Sequence, residues 1–338
     1  MTKKLTVLET LPDYFDVYLL QTKGFSENTV TSYKYTFQLL FEFLFETKNL
    51  KPGKVFFADL ENGVIEEFLL WLENERNCSV STRNQRKAAI SSFSKYALRN
   101  FFVQSMRFGT EVSAIESKKA LKSSISYFST EEIGIILSLP SKKSEIEIRN
   151  RAILSFLYAS GARAQELCNL RVGDIKFGNR TSVRLLGKGN KRRVIVLPAP
   201  CAMILKDYID RSSITTMYQA ERHVFSSRTH EQMTVSCVEA IVSKYVTIAK
   251  KQYPHLFAAS HYSPHSFRHS IAVHMLEADV PLPVIKTFLG HESIQTTMIY
   301  ASVSDALKDR YLLNRDFPEI EATNENKKYS VKEDLIFL

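Results

Sequence analysis

Six side chains, in chain order Arg163, Lys188, His265, Arg268, His291 and Tyr300, carry the groups that attack a phosphodiester and stabilise the charge that follows. They are two guanidiniums, an ammonium, two imidazoles and a phenol. A phenol can attack phosphorus, an acid can protonate the departing oxygen, and preplaced cations stabilise the charge developing on the phosphoryl oxygens. Such a set can transfer a phosphoryl group without a metal ion.

Local sequence suits each group to this work. Ser263-Pro264-His265 reads as a helix start, with serine as N-cap and proline in the first turn. His265 and Arg268 then share one face near a helix N-terminus, where free N–H groups favour an anion. Arg163 follows a glycine break, and Glu166, three residues on, can orient it; a surface ion pair is the plainer alternative. Arg163 and Arg268 are suited to gripping the non-bridging oxygens of one phosphate. Lys188 lies in Gly187-Lys188-Gly189 between two β-rich runs, 181–186 and 193–197, which predict a hairpin with a basic tip. There an ammonium could protonate a leaving 5′ oxygen, with Lys191, Arg192 and Arg193 adding salt-dependent backbone contacts. Leu289-Gly290 predicts a helix end from which His291 starts a new segment.

Zinc is a competing use of His261, His265 and His269, which recur every four residues. Ser263-Pro264 puts His261 outside the helix, and no His-Glu-x-x-His pattern is present, so no metal site is expected. His269 and His274 read as packing or surface residues.

The elements that must position these groups follow from length and periodicity. A chain of 338 residues with 44% hydrophobic and 24% charged side chains predicts about two folded domains. A net charge of +9 and a pI near 9.2 favour a polyanionic partner, and no amphipathic anchor or long apolar run supports a membrane. Cys78, Cys168, Cys201 and Cys237 form no Cys-x-x-Cys pair, and no signal-peptide core is visible, so a reduced bacterial-type cytoplasm, at the nucleoid, is expected.

Residues 1–104 read as a helical domain, with helices after Ser26, after Asp59 and from Ser81. On the third helix Arg83, Arg86 and Lys87 read alone as a solvated face, and beside a phosphate-directed domain as DNA backbone contacts. Between 105 and 127 the periodicity fades while Gly109, Ser113, Ser117, Lys118 and Lys119 accumulate, which predicts a linker. Ser129 and Glu132 then fit a capping box that opens a second domain, 128–316. Its helices are predicted at 148–159, 166–170, 199–211, 234–251, 264–277 and 281–289.

The ordered series Arg163, Lys188, His265-Ser-Phe-Arg268, Leu-Gly-His291 and Tyr300 closely resembles the catalytic domain of the tyrosine recombinase (phage integrase) family, and the helical first segment resembles its SAM-like core-DNA-binding domain. The resemblance implies a mainly α fold with a small β-hairpin or sheet (α+β), closing as a clamp on DNA. It implies a site-specific recombinase in which Tyr300 attacks to give a 3′-phosphotyrosyl bond, Lys188 is the general acid and His265 a general acid/base. Arg163 and Arg268 would be the phosphate clamp, assisted by His291. It implies no cofactor, metal or ATP, and double-stranded DNA with specific core sites as partner. Such proteins act as homotetramers on two synapsed duplexes, so a monomer or weak dimer is expected when free. The tail 317–338, ending Leu335-Ile336-Phe337-Leu338, is similar to segments that dock on a neighbouring subunit. Ala162 departs from the family's usual bulkier residue, which bears on packing rather than chemistry. Little chain precedes residue 11, so no arm-site domain is expected and a simple two-domain recombinase of a mobile element is favoured. The competing readings are a type IB topoisomerase-like enzyme and a non-catalytic DNA-binding protein.

Overall fold

The computed structural model of the chain describes residues 5–120, 125–187, 191–212, 220–227 and 230–301. It divides into two units, Met1–Ser123 and Ser124–Leu338. None of the described helices is long and apolar enough to cross a membrane.

The first unit is helical. It comprises α1 (Val7–Pro12), a run of wider π-type turns over Asp13–Thr22, α2 (Glu27–Lys48), α3 (Val64–Asn74), α4 (Val80–Asn100) and α5 (Phe102–Ala114). Ser26 caps α2 through the Thr29 N–H, as its spacing predicts, whereas α4 is capped by Ser79, just before the expected Ser81. Phe93 on α4 is the hub of the core, with ring centroids 5.0 Å from Phe37, 5.1 Å from Tyr14 and 6.2 Å from Phe108. Edge-to-face pairs of this kind add specific geometry to apolar burial.

Helix α5 occupies much of the stretch expected to be a linker. Gly109 resembles a breaker, yet a Cβ there would come within 2.6 Å of the Leu98 side chain. It is a point of close approach between α4 and α5, and it places Phe108 and Val112 in the core. The chain beyond α5 is tied back to α4: Asn84 Nδ2 donates to the Lys118 carbonyl at 2.7 Å, and the Lys118 N–H donates to Asn84 Oδ1 at 3.1 Å.

The second unit begins with the capping box predicted at Ser129 and Glu132, which opens α6 (Thr130–Ser138). The Glu132 carboxylate is buried and accepts from two backbone donors, the Ser129 N–H at 2.8 Å and the Phe257 N–H. It therefore joins segments far apart in sequence. Phe128 stacks on Tyr262 at 4.4 Å beside them. Next come α7 (Glu145–Ser160), which is buried on most sides, and the short α8 (Ala164–Cys168). An antiparallel sheet of β1 (Ile175–Lys176), β2 (Ser182–Leu186) and β3 (Arg192–Val196) follows in that order. The β2–β3 pairing, from Ser182 opposite Val196 to Leu186 opposite Arg192, is the expected hairpin. Its tip residue Lys188 lies outside the described residues, as do 302–316 and the tail 317–338. The unit continues with α9 (Ala199–Arg211), α10 (Val235–Gln252), α11 (Pro264–Glu277), α12 (Leu282–Leu289) and α13 (Gln295–Ala301). The first four of these match the predicted spans to within a residue or so.

Removing the Glu132 acceptor strands the buried Phe257 N–H, at roughly 1–3 kcal/mol, and takes away the partner of the Ser129 N–H at the more exposed helix start, at roughly 1 kcal/mol. Glu132→Ala is therefore expected to lower stability by about 2–4 kcal/mol. Urea unfolding would read this as a lower midpoint at an unchanged slope, with Glu132→Gln, which keeps one acceptor oxygen, losing less.

Candidate active site

Helices α7 and α12 end in the same way. Each is followed by a glycine in the left-handed conformation, Gly161 at φ 56° and Gly290 at φ 67°. Arg268, reaching across from α11, closes both ends: its Nη1 donates to the Gly161 carbonyl and its Nη2 to the Leu289 carbonyl, each at 2.6 Å. The residue is only 2% exposed. Two helix C-termini present partial negative charge to it, which offsets the cost of burying the cation. Burial, and after it the neighbouring Arg163, pull the Arg268 pKa down to about 10, so it remains a cation at neutral pH. Both turns lead directly to expected site residues, Gly161 to Arg163 and Gly290 to His291.

Arg163 stands at the N-cap of α8. Its backbone N–H donates to Glu166 Oε2 at 2.8 Å and its Nη1 to Glu166 Oε1 at 3.0 Å, the pairing expected from their spacing. Glu166 has a second partner that sequence reasoning assigned elsewhere. Arg193, expected to touch DNA, turns inward and grips the same carboxylate with two parallel bonds, Nη1 to Oε1 at 2.8 Å and Nη2 to Oε2 at 2.7 Å. Strand alternation explains the difference: along β3, Arg192 and Val194 are exposed while Arg193 and Ile195 face inward. Lys191 is exposed and pairs with Glu292 at 2.9 Å. Arg163, Lys191, Arg192, Lys286 and His291 line an open cleft of about 530 Å³.

Tyr300 is 1% exposed and packs with Ile285 and Leu289. Its hydroxyl shares a 3.1 Å hydrogen bond with His269 Nδ1, and its ring lies nearly parallel to that of His291 at 6.3 Å. His291 Nδ1 is bonded to Thr297 Oγ1 at 2.9 Å. His265 is exposed at the start of α11, its ring 6.2 Å from His269. Burial raises the Tyr300 phenol above its ordinary value, with Arg268 and Arg163 pulling partly back. Burial, then nearby positive groups, pushes both His269 and His291 down to about 4.

Residues 126–306 match the phage integrase family, and residues 14–101 match the N-terminal SAM-like domain of phage integrases. The chain belongs to the phage integrase family. It is a tyrosine recombinase, an enzyme of site-specific DNA recombination, and its mainly helical fold with a small sheet is the one the sequence predicts. It is 32% identical to the tyrosine recombinase XerC of Roseiflexus castenholzii over 290 residues, which cover 85% of this chain and 87% of that protein. Its fold is similar to that of the XerH site-specific recombinase bound to palindromic difH substrate, with a TM-score of 0.66 at 18% identity over 84% of this chain and 78% of that one. It is also similar to the Tn1549 transposon integrase in complex with transposon right end DNA, with a TM-score of 0.65 at 14% identity over 91% of this chain and all (100%) of that one.

Five of the six residues singled out in this recombinase, Arg163, His265, Arg268, His291 and Tyr300, lie in the described part of the second unit, on α8, α11 and the segment around α13. Of the three basic residues expected on the DNA-facing part of α4, two are engaged within the first unit. Arg83 is buried and donates to the Glu116 carbonyl at 3.1 Å; Arg86 donates to the Ser32 carbonyl at 3.0 Å and lies 5.0 Å over the Tyr35 ring. Both guanidiniums join elements of the first unit, and Lys87 is half-buried beside them. Two members of the site were missed. His269, read as packing, holds the Tyr300 hydroxyl; its one sequence signal was its position four residues after His265. Lys286 lines the cleft, and nothing in its local sequence marked it.

The low histidine pKa values carry a sign. A histidine at 6.5 when unfolded and about 4 when folded takes up its proton more readily in the unfolded state. Stability from His269 and His291 is thus complete above pH 6.5 and is lost as pH falls toward 4. His291→Asn is expected to flatten the pH dependence of stability across that window by up to about one proton per molecule, measured as urea midpoints from pH 7 to pH 4.

Proposed function

We propose that the recombinase cuts and reseals double-stranded DNA through a covalent bond to Tyr300. What supports this reading is the convergence in one unit of a phenol, two imidazoles and two guanidiniums beside a basic cleft. The phenolic oxygen attacks the scissile phosphorus, a 3′-phosphotyrosyl bond forms, and the 5′ oxygen leaves. The phenol's proton passes to a base, His265 in this reading, and the leaving oxygen takes a proton from Lys188. Arg163 and the N–H groups of Arg268 not engaged by Gly161 and Leu289 stabilise the charge on the non-bridging oxygens, with His291 donating beside them. The phosphotyrosine keeps the energy of the phosphodiester, so a 5′ hydroxyl from another strand reverses the step without ATP.

The same reading fixes the setting. The first unit contributes core-site binding, four copies assemble on two duplexes, and the free protein is a monomer or weak dimer. Integration, excision or transposition of a mobile element is the reaction we assign, in keeping with the family's description. The Tyr300 hydroxyl is hydrogen-bonded to His269, so attack requires exchanging that partner for the phosphate.

A pool of nicked duplexes with randomised sequence, incubated with the protein in EDTA and then denatured, tests the chemistry and finds the target. An adduct that survives denaturation is expected with the wild type and absent with Tyr300→Phe. No adduct with the wild type, or an undiminished one with Tyr300→Phe, would sink the mechanism. Recombinant products rather than relaxed circles from plasmids carrying the selected sequence separate it from a type IB topoisomerase.

A further inference from the structure

Arg193 stands in the wall of the cleft and, like Arg268 beside it, is turned largely away from solvent. Its side chain is 11% exposed, against 34% for Arg163 and 4% for Glu166. The two Glu166 oxygens each accept two N–H groups. Oε1 takes Arg163 Nη1 and Arg193 Nη1, and Oε2 takes the Arg163 backbone N–H and Arg193 Nη2. Arg163 and Glu166 alone would be a short-range pair three residues apart with one half-exposed partner, a kind of contact that fixes little. The planar fork from Arg193 sets the carboxylate in one orientation. Arg163 Nη1 is then committed to one direction, and its remaining N–H groups to the other.

Charge balance points the same way. Two guanidiniums share one carboxylate, so the three groups together carry a net charge of +1, and Arg163 is the more exposed of the two cations. Burial alone would raise the Glu166 pKa; the hydrogen bonds and charge of Arg193, with those of Arg163, more than reverse that and hold it below the usual carboxylate value.

The Arg193 stem also fits against the turn before His291. A Cβ on Gly290 would stand 3.2 Å from Arg193 Cδ and 3.3 Å from its Nη1. At the hairpin base, a Cβ on Gly187 would stand 3.4 Å from Glu166 Oε1 and 3.8 Å from Arg193 Nη1. One guanidinium thus lies between the strand that follows the Lys188 loop, the carboxylate beneath Arg163 and the turn that starts at Gly290.

We propose that Arg193 is a positioning residue for strand cleavage: by gripping Glu166 with two bonds it aims Arg163 at the scissile phosphate, and it makes no DNA contact of its own. This rests on the phosphotyrosine reading above. It also assigns the fork geometry, rather than the charge, as what matters, because an ammonium cannot make two parallel bonds to one carboxylate.

Arg193→Lys keeps a cation beside the buried Glu166 and so preserves the fold, which its urea midpoint checks; Arg193→Gln is the second variant. With the selected nicked duplex at saturation, adduct formation by Arg193→Lys is expected to slow roughly 10- to 100-fold, less than the roughly 100- to 1,000-fold cost of removing a preorganised donor outright, because Arg163 itself is retained. Affinity for a random-sequence duplex should stay within about twofold, with the same dependence on salt as the wild type. In an Arg163→Lys background, adding Arg193→Lys should slow the reaction no further, since both act through one guanidinium. A wild-type rate in both Arg193 variants, or additive losses in the double variant, would overturn the proposal. So would weaker binding with a salt slope reduced by about one, the mark of a phosphate contact. If the wild type forms no adduct, the functional reading fails on its own, and the salt slope still decides whether Arg193 touches DNA.

Discussion

Arg268 lies inside the second unit with its two terminal nitrogens on the carbonyls that end α7 and α12. Much of the site depends on that arrangement. A helix end in the interior leaves carbonyls without partners, and a buried guanidinium lacks the water that would solvate it; here each satisfies the other. The left-handed glycines follow from the same constraint. At Gly161 a Cβ would press on Leu289 at 3.0 Å and Phe288 at 3.1 Å, so the two helix ends approach because Gly161 has no side chain in the way. Arg163 and His291 emerge from these turns, and their spacing is set before any substrate arrives.

The interior that fixes these positions also keeps the groups quiet. Tyr300 is protonated more firmly than a phenol in water, and the two imidazoles nearest it are neutral at physiological pH. Desolvation is the leading cause in all three cases. A phosphate entering beside Arg163 and Arg268 brings negative charge, which favours protonated histidines and works against an ionised phenol. In the proposed reaction this separates the roles: His291 is biased to donate, while the phenol gives up its proton to His265 in the act of attack.

Much of this was written in local sequence. Ser26, Ser129 with Glu132, and Ser263-Pro264 fix helix starts through side-chain chemistry that is local by nature, and each helix begins where they indicate. The order of the six residues pointed to the family, and all of them but Tyr300 came with a local turn, hairpin or cap. What was hidden depended on contacts between distant segments. Gly109 looked like a linker residue because its partner, Leu98, belongs to another helix. Arg193 looked like one more basic residue on a hairpin, and only strand register shows which of three consecutive cations turns inward. Arg83 and Arg86 likewise look like a charged face until the chain after α5 and helix α2 are seen to lie against them.

That register bears on how such a chain can change over generations. Inward and outward positions alternate along β3, with Arg193 and Ile195 on one side and Arg192, Val194 and Val196 on the other. Inserting or deleting a single residue within β3 between Arg192 and Ile195 would turn Ile195 outward or set Arg192 or Val194 against Glu166. Length changes beyond the paired residues carry no such exchange of faces. The ladder itself therefore tolerates no slip, and a designer who grafts a longer loop to alter DNA contacts has to join it between Leu186 and Arg192 while keeping Lys188 in reach.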